Sequence, residues 1–282
     1  MKSRIADQPF GAEFWCAYLA NLSLMVAVSV MFRYADLVAY LGGNEYELGW
    51  IVGVGMLGAL AMRVLQGVGI DRYGAGRMWM ASLLLMIASL LSHLLVQDVH
   101  SIWIYLARIL YTVSLAGAFG ASITFISLRA PRHRTAEVIG GLGSSGLIGM
   151  ALGPTVADWL FTLPGTERTQ VNRMFIAAAV MVGVSLLLTA IIARGDVPRR
   201  ITRRPVPLWW LVRRYHPGAV MLVAVAMGIG IGVPFFFVRP FTAELGLSGI
   251  RSFFLVYAGV AFTVRIACRQ LPDRWGVKQT LM

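Results

Sequence analysis

Charge is what this chain has least of. Asp, Glu, Lys and Arg make up 13% of its 282 residues, against about a quarter in ordinary soluble domains. That scarcity argues against a water-soluble domain. Acidic residues are rarer than basic ones, 13 against 25. Cysteine is nearly absent. Cys16 and Cys268 lie inside or at the end of apolar runs, without the spacing of a disulfide framework or of a metal-ligand set. Period-two alternation of apolar and polar residues is missing, which argues against a transmembrane barrel. No phosphate-cradling glycine loop, nucleophile elbow, metal cluster or pair of catalytic carboxylates occurs. The chain therefore does not read as an enzyme, and no catalytic residue, metal or cofactor is assigned.

What is present is apolar sequence, 58% of the chain, in runs long enough to cross a bilayer as helices of roughly 20 residues. Backbone groups in lipid must be satisfied internally, which leaves a helical bundle. The runs predict eight spans: Phe14 to Phe32 (with a continuation toward Tyr40), Leu48 to Ile70, Met78 to Val96, Ile102 to Leu128, Val138 to Phe161, Asn172 to Ala193, Ala219 to Phe237 and Ser252 to Cys268. The first run is too long for a signal-peptide core and lacks a small-residue cleavage site, so it reads as an uncleaved span.

The loops alternate in charge. Lys2 and Arg4, then Arg72 and Arg77, then Arg129, Arg132 and Arg134, then seven arginines between Arg194 and Arg214, then Arg269, Arg274 and Lys278 occupy every second connection. Glu45, Glu47, Asp98, Glu167 and Glu244 sit in the others. The positive-inside rule puts the N-terminus and the Arg194–Pro217 stretch in the cytoplasm. The net charge of +12 is thus explained by topology and by membrane lipids as partners, not by nucleic acid. The stretch 194–217, with prolines and like charges, reads as a basic cytoplasmic linker between a six-helix unit (1–193) and the start of a second unit (218–282). Trp209, Trp210 and Tyr215 read as an interfacial anchor before the seventh span.

Two polar gaps carry the same pattern. Gly67-Val68-Gly69-Ile70-Asp71-Arg72-Tyr73-Gly74 follows the second span, and Arg269-Gln270-Leu271-Pro272-Asp273-Arg274-Trp275-Gly276 follows the eighth. Both read Asp-Arg-aromatic-Gly, with Arg63 and Arg265 eight positions before the aspartates. Repetition at matching topological positions implies two related units. With Arg77, the first copy resembles the Gly-x-x-x-Asp-Arg-x-Gly-x-x-basic turn of the major facilitator superfamily. The resemblance implies an all-α polytopic bundle, with a complete six-helix first half and two helices of the second. It also implies a cytoplasmic gate built from Gly67, Asp71, Arg72, Gly74 and Arg77, and in the second half from Asp273, Arg274 and Gly276. The second copy stands at the end of the chain where the family continues, so a truncated or partial transporter is expected.

Other residues take roles from the same resemblance. Arg108, inside the fourth span, stands where the family has an arginine tied to proton coupling; an ion pair or an outward-reaching side chain explains it equally well. Gly140, Gly149, Gly153 and Pro154 resemble the flexible fifth helix of proton-driven exporters, although Ala157-Asp158 replaces the usual closing Gly-Gly. Asp36 and Asp158 are the titratable coupling candidates. Arg33 and Asp36 are spaced to pair at i, i+3, Arg239 lies near the outer end of the seventh span, and His93 reads as interfacial. Asn21 is the candidate contact for substrate, with a helix–helix hydrogen bond as its alternative. The implied activity is proton-coupled efflux (antiport) of a small organic solute across the inner membrane. Uptake of a sugar or organic anion and a non-transporting membrane protein are the alternatives.

Overall fold

A computed structural model describes residues 10–131, 134–195, 214 and 218–267. Within them the chain is helical throughout. Helix α1 (Ala12–Val30) runs through a single 3-10 turn, Met31–Arg33, into α2 (Tyr34–Tyr40). There follow α3 (Glu45–Tyr73), α4 (Ala75–His93), α5 (Ile102–Arg129), α6 (Thr135–Thr162), α7 (Glu167–Ile192), α8 (Ala219–Glu244) and α9 (Arg251–Ala267).

Starts and stops follow local chemistry. Asn44 and Glu47 form a reciprocal capping box at the start of α3, the Asn44 side chain accepting from the Tyr46 and Glu47 amides and the Glu47 carboxylate from the Asn44 amide. Ser101 and Thr166 cap α5 and α7 in the same sense. Between α3 and α4 the chain reverses at Gly74, whose φ of 91° favours glycine.

Helix α5 lies between α3 and α4, α1 lies between α6 and α7, and α4 packs on α7 to join the two groups. The core between them holds Trp79, Phe125, Phe175, Leu24, Leu83 and Met86, all buried. Close approach of α1 and α6 depends on glycine. A Cβ at Gly149 would stand 2.5 Å from Cβ of Met25, and one at Gly153 would stand 2.8 Å from the Val26 carbonyl oxygen.

Six helices are long and apolar enough to cross a membrane, and α3 makes a seventh if its two parts count as one span. The predicted second span, Leu48 to Ile70, falls within α3, which bends by 45° between Arg63 and Leu65. No proline lies in it, but Gly58, Gly67 and Gly69 flank the bend and weaken the helix on either side. Helix α9, with 17 residues, spans about 25 Å at 1.5 Å per residue.

The helices alternate in direction, so the connections fall on two faces. One, the basic face, carries the Tyr73–Gly74 turn and the ends of α5 and α7. It is tied by an ion pair of 3.7 Å between Arg129 and Glu13. The opposite face carries the α2–α3, α4–α5, α6–α7 and α8–α9 connections. Helices α8 and α9 pack on the rest of the bundle toward this opposite face. Side chains 221–230 of α8 and 262–264 of α9, nearer the basic face, are exposed.

Candidate functional site

The 3-10 turn after α1 carries Arg33 into the bundle at the opposite face, where it is 2% exposed. Its Nε donates to Oδ2 of Asp36 at 2.6 Å and its Nη1 to Oδ1 of Asp158 at 3.1 Å. Its guanidinium carbon lies 3.7 Å from the centre of the Phe161 ring. Asp36 also accepts from Nε of Arg239, on α8, at 2.9 Å. The second oxygen of Asp158 accepts from the backbone amides of Ile250 and Arg251 at 2.8 and 2.9 Å. A side chain of α6 therefore caps the start of α9, where a negative charge also meets the positive end of the helix dipole. Charges alternate along the row Arg239, Asp36, Arg33, Asp158 and the α9 amides. Two cations and two carboxylates balance, which lets the row be buried.

Next to Arg33 in the chain, Phe32 stacks on Phe254 with centroids 4.6 Å apart and lies 5.0 Å from Phe235. This aromatic layer joins the 3-10 turn after α1 to α8 and α9 beside the ionic row. A cleft of about 940 Å³ opens beside the row, lined by Arg33, Asp158, Thr155, Gln170, Arg239 and Arg251.

Arg108 on α5 is equally buried, 2% exposed, but is held differently. Its guanidinium carbon lies 4.3 Å from the Tyr34 ring, 5.0 Å from Tyr111 and 5.6 Å from Phe236 of α8. Among the described residues it makes no ion pair, and its Nε and Nη1 have no hydrogen-bond partner. A ring under a cation is worth about 0.5–2 kcal/mol, whereas an unpaired buried charge costs several kcal/mol. The rings therefore offset only part of that cost. Two more buried polar atoms around the same rings lack partners, the Tyr34 hydroxyl and Nε2 of His93. The His93 ring stands 5.6 Å from that of Tyr34 and stacks on Phe175 at 5.0 Å, with Nδ1 against the Ser89 carbonyl oxygen at 2.8 Å. His93, the last residue of α4, is 1% exposed, covered by the packing of α4 on α7.

Of the residues singled out in the sequence, Asp36 and Asp158 meet in one cluster, and Arg108 stands apart from both. Gly149, Gly153 and Pro154 are buried on α6, the two glycines against α1, while Gly140 is half-buried nearer the basic face. Asn21, on the same seam, donates its amide to Oγ of Ser145 at 2.7 Å. Gly67, Asp71, Arg72 and Arg77 are exposed at the basic face around Gly74, with the Arg72 guanidinium 5.3 Å from the Tyr73 ring. Arg265 falls on α9, while Asp273, Arg274 and Gly276, Arg132, Cys268 and the anchor of Trp209, Trp210 and Tyr215 lie outside the described residues. Among the described residues, no group of three or more His, Cys, Asp and Glu side chains is placed to hold a metal ion.

The pairing of Arg33 with Asp36 at i, i+3 was visible in the sequence, but the two long-range partners were not. A signal existed: Arg33, Asp36, Asp158 and Arg239 all fall at one end of predicted spans, and charges of opposite sign at one depth of a bundle seek each other.

These features define a multi-pass helical membrane protein whose helices converge at one face on an ionic row and an aromatic layer. The chain belongs to the Major Facilitator Superfamily, whose family model matches residues 14–282. Among curated proteins, none matches the chain. Members of this family are secondary transporters that bind small-molecule substrates.

Proposed function

We propose that the chain carries a small organic solute outward across the inner membrane by alternating access, in exchange for protons. The observation that supports alternating access most is the contrast between its ends. An ionic row and an aromatic layer hold α8 and α9 against the bundle at the opposite face, while the same helices are exposed toward the basic face. The basic face is cytoplasmic in this reading, because arginines gather there. The conformation is then closed to the outside and open to the cytoplasm. Residues 1–193 form one half, 194–217 the linker, and 218–282 belong to the other half.

The row can act as the outer latch. Protonation of Asp36 or Asp158 removes the charge that holds two cationic groups, or one cation and a helix start, and so ties opening to proton entry. Gly67, Asp71, Arg72, Gly74 and Arg77 supply the cytoplasmic gate that forms as the latch opens, with Asp273, Arg274 and Gly276 as its counterpart. Gly149, Gly153 and Pro154 let α6 shift against α1. Arg108 is the coupling residue beneath the latch. Asn21 reaches substrate once its bond to Ser145 exchanges.

Everted membrane vesicles carrying the full-length gene product test the reading. Acidifying their interior should drive solutes from a labelled panel inward, and collapsing the gradient with a protonophore should abolish the accumulation. Accumulation that ignores the pH gradient would remove proton exchange. Flux only in the other direction would replace efflux by uptake.

A further inference from the structure

We infer that Arg108, with the Tyr34 hydroxyl, is a binding subsite for a carboxylate group, so that the carried solute is a monocarboxylate. The inference rests on the transport reading and adds a substrate class to it. Four buried polar atoms around one set of rings lack partners: Nε and Nη1 of Arg108, the Tyr34 hydroxyl and Nε2 of His93. They come from α5, α2 and α4, so no single local sequence explains them. Buried polar groups are nearly always bonded, and a group left without a partner calls for an explanation. A fixed internal pair is not that explanation: among the described residues no carboxylate pairs with Arg108, and Asp36 and Asp158 are committed to Arg33, Arg239 and the start of α9.

The geometry of the donors selects the ligand. A guanidinium presents parallel N–H groups in a fork that matches the two oxygens of a carboxylate. Nε and Nη1 are adjacent on that fork. The Tyr34 ring lies 4.3 Å from the guanidinium carbon, and its hydroxyl supplies a neutral donor. Nδ1 of His93 faces the Ser89 carbonyl oxygen at 2.8 Å and so carries the proton, which leaves Nε2 of the neutral ring as an acceptor. That bare acceptor would repel a second anionic group and favours a single carboxylate. Phe236 of α8 closes the same set of rings, so a bound carboxylate would touch the helix that the outer latch releases.

Equilibrium binding to the full chain in detergent tests this without any flux. The probes are acetate and benzoate, each against its neutral amide, read as shifts in melting temperature. The carboxylates should raise it and the amides should not. Arg108→Met should weaken the carboxylate response by about tenfold or more. The same substitution should raise the melting temperature of the protein without probe by a few degrees, because it deletes an uncompensated charge. Tyr34→Phe should weaken the response several-fold while leaving the melting temperature without probe nearly unchanged. Three results would overturn the inference: no response to either carboxylate, equal responses to acid and amide, or a lowered melting temperature for folded Arg108→Met, which would reveal a structural partner. If Arg108→Met cannot be obtained folded, an unchanged response in Tyr34→Phe overturns it instead. A protein that binds benzoate but moves no solute counts against the transport reading alone.

Discussion

Arg33 and Arg108 are buried to the same degree, 2% exposed, in the same bundle, and beside aromatic rings. Arg33 has two carboxylates at 2.6 and 3.1 Å, and Arg108 has none within ion-pair reach among the described residues. Burial alone therefore does not say what a membrane arginine is for. The neutralised one fixes the positions of α2, α6, α8 and α9 relative to each other. The other keeps its donors for something that comes and goes. A lock and a binding group differ here in the company they keep, not in depth.

The strongest way to break this comparison is to make Arg33 resemble Arg108. Asp158→Asn leaves Arg33 one carboxylate and weakens the cap on α9. It should cost about 3 kcal/mol, a fall in melting temperature of roughly 8 °C by thermal unfolding in detergent. A change within error would mean that the row is not a lock. Gly153→Leu attacks the same contact indirectly, by wedging α1 from α6 and so Arg33 from Asp158. It should cost about 2 kcal/mol by the same measurement, and an unchanged melting temperature would show that the seam has slack. Arg239→Gln removes the more exposed end of the row and should cost only about 1 kcal/mol. Cysteine accessibility at the opposite face should nevertheless rise, and a loss as large as that of Asp158→Asn would show that the row has no inner and outer member. Arg72→Ala sets the baseline: a solvent-facing arginine at the basic face should move the melting temperature by less than about 0.5 kcal/mol equivalent.

The sequence made the spans legible because apolar length is a local property, and α1 with α2 and α3 to α9 fall on the predicted runs. The bend in α3 was not legible, since glycines permit a bend without specifying where it falls. The pair of Arg33 with Asp36 follows from spacing within one helical turn. The bond from Arg239 to Asp36 joins residues 203 apart in sequence, and the cap from Asp158 to Ile250 joins residues 92 apart, so neither follows from spacing. That Arg108 would be costly in the bilayer was readable, but not whether it had a partner, because that depends on which helices surround it.

The borrowed cap on α9 has a consequence for how the chain is made. Helices α3, α5 and α7 carry their own first-turn caps from residues immediately upstream. Helix α9 does not: the amides of Ile250 and Arg251 at its start wait for Asp158, synthesised some 90 residues earlier on α6. During synthesis from the N-terminus, the cap on α9 can form only after that helix docks on a bundle that already exists. Its arrival therefore reports the correct assembly of the helices before it, and a nascent chain with a misplaced α6 would expose a frayed helix start to quality control.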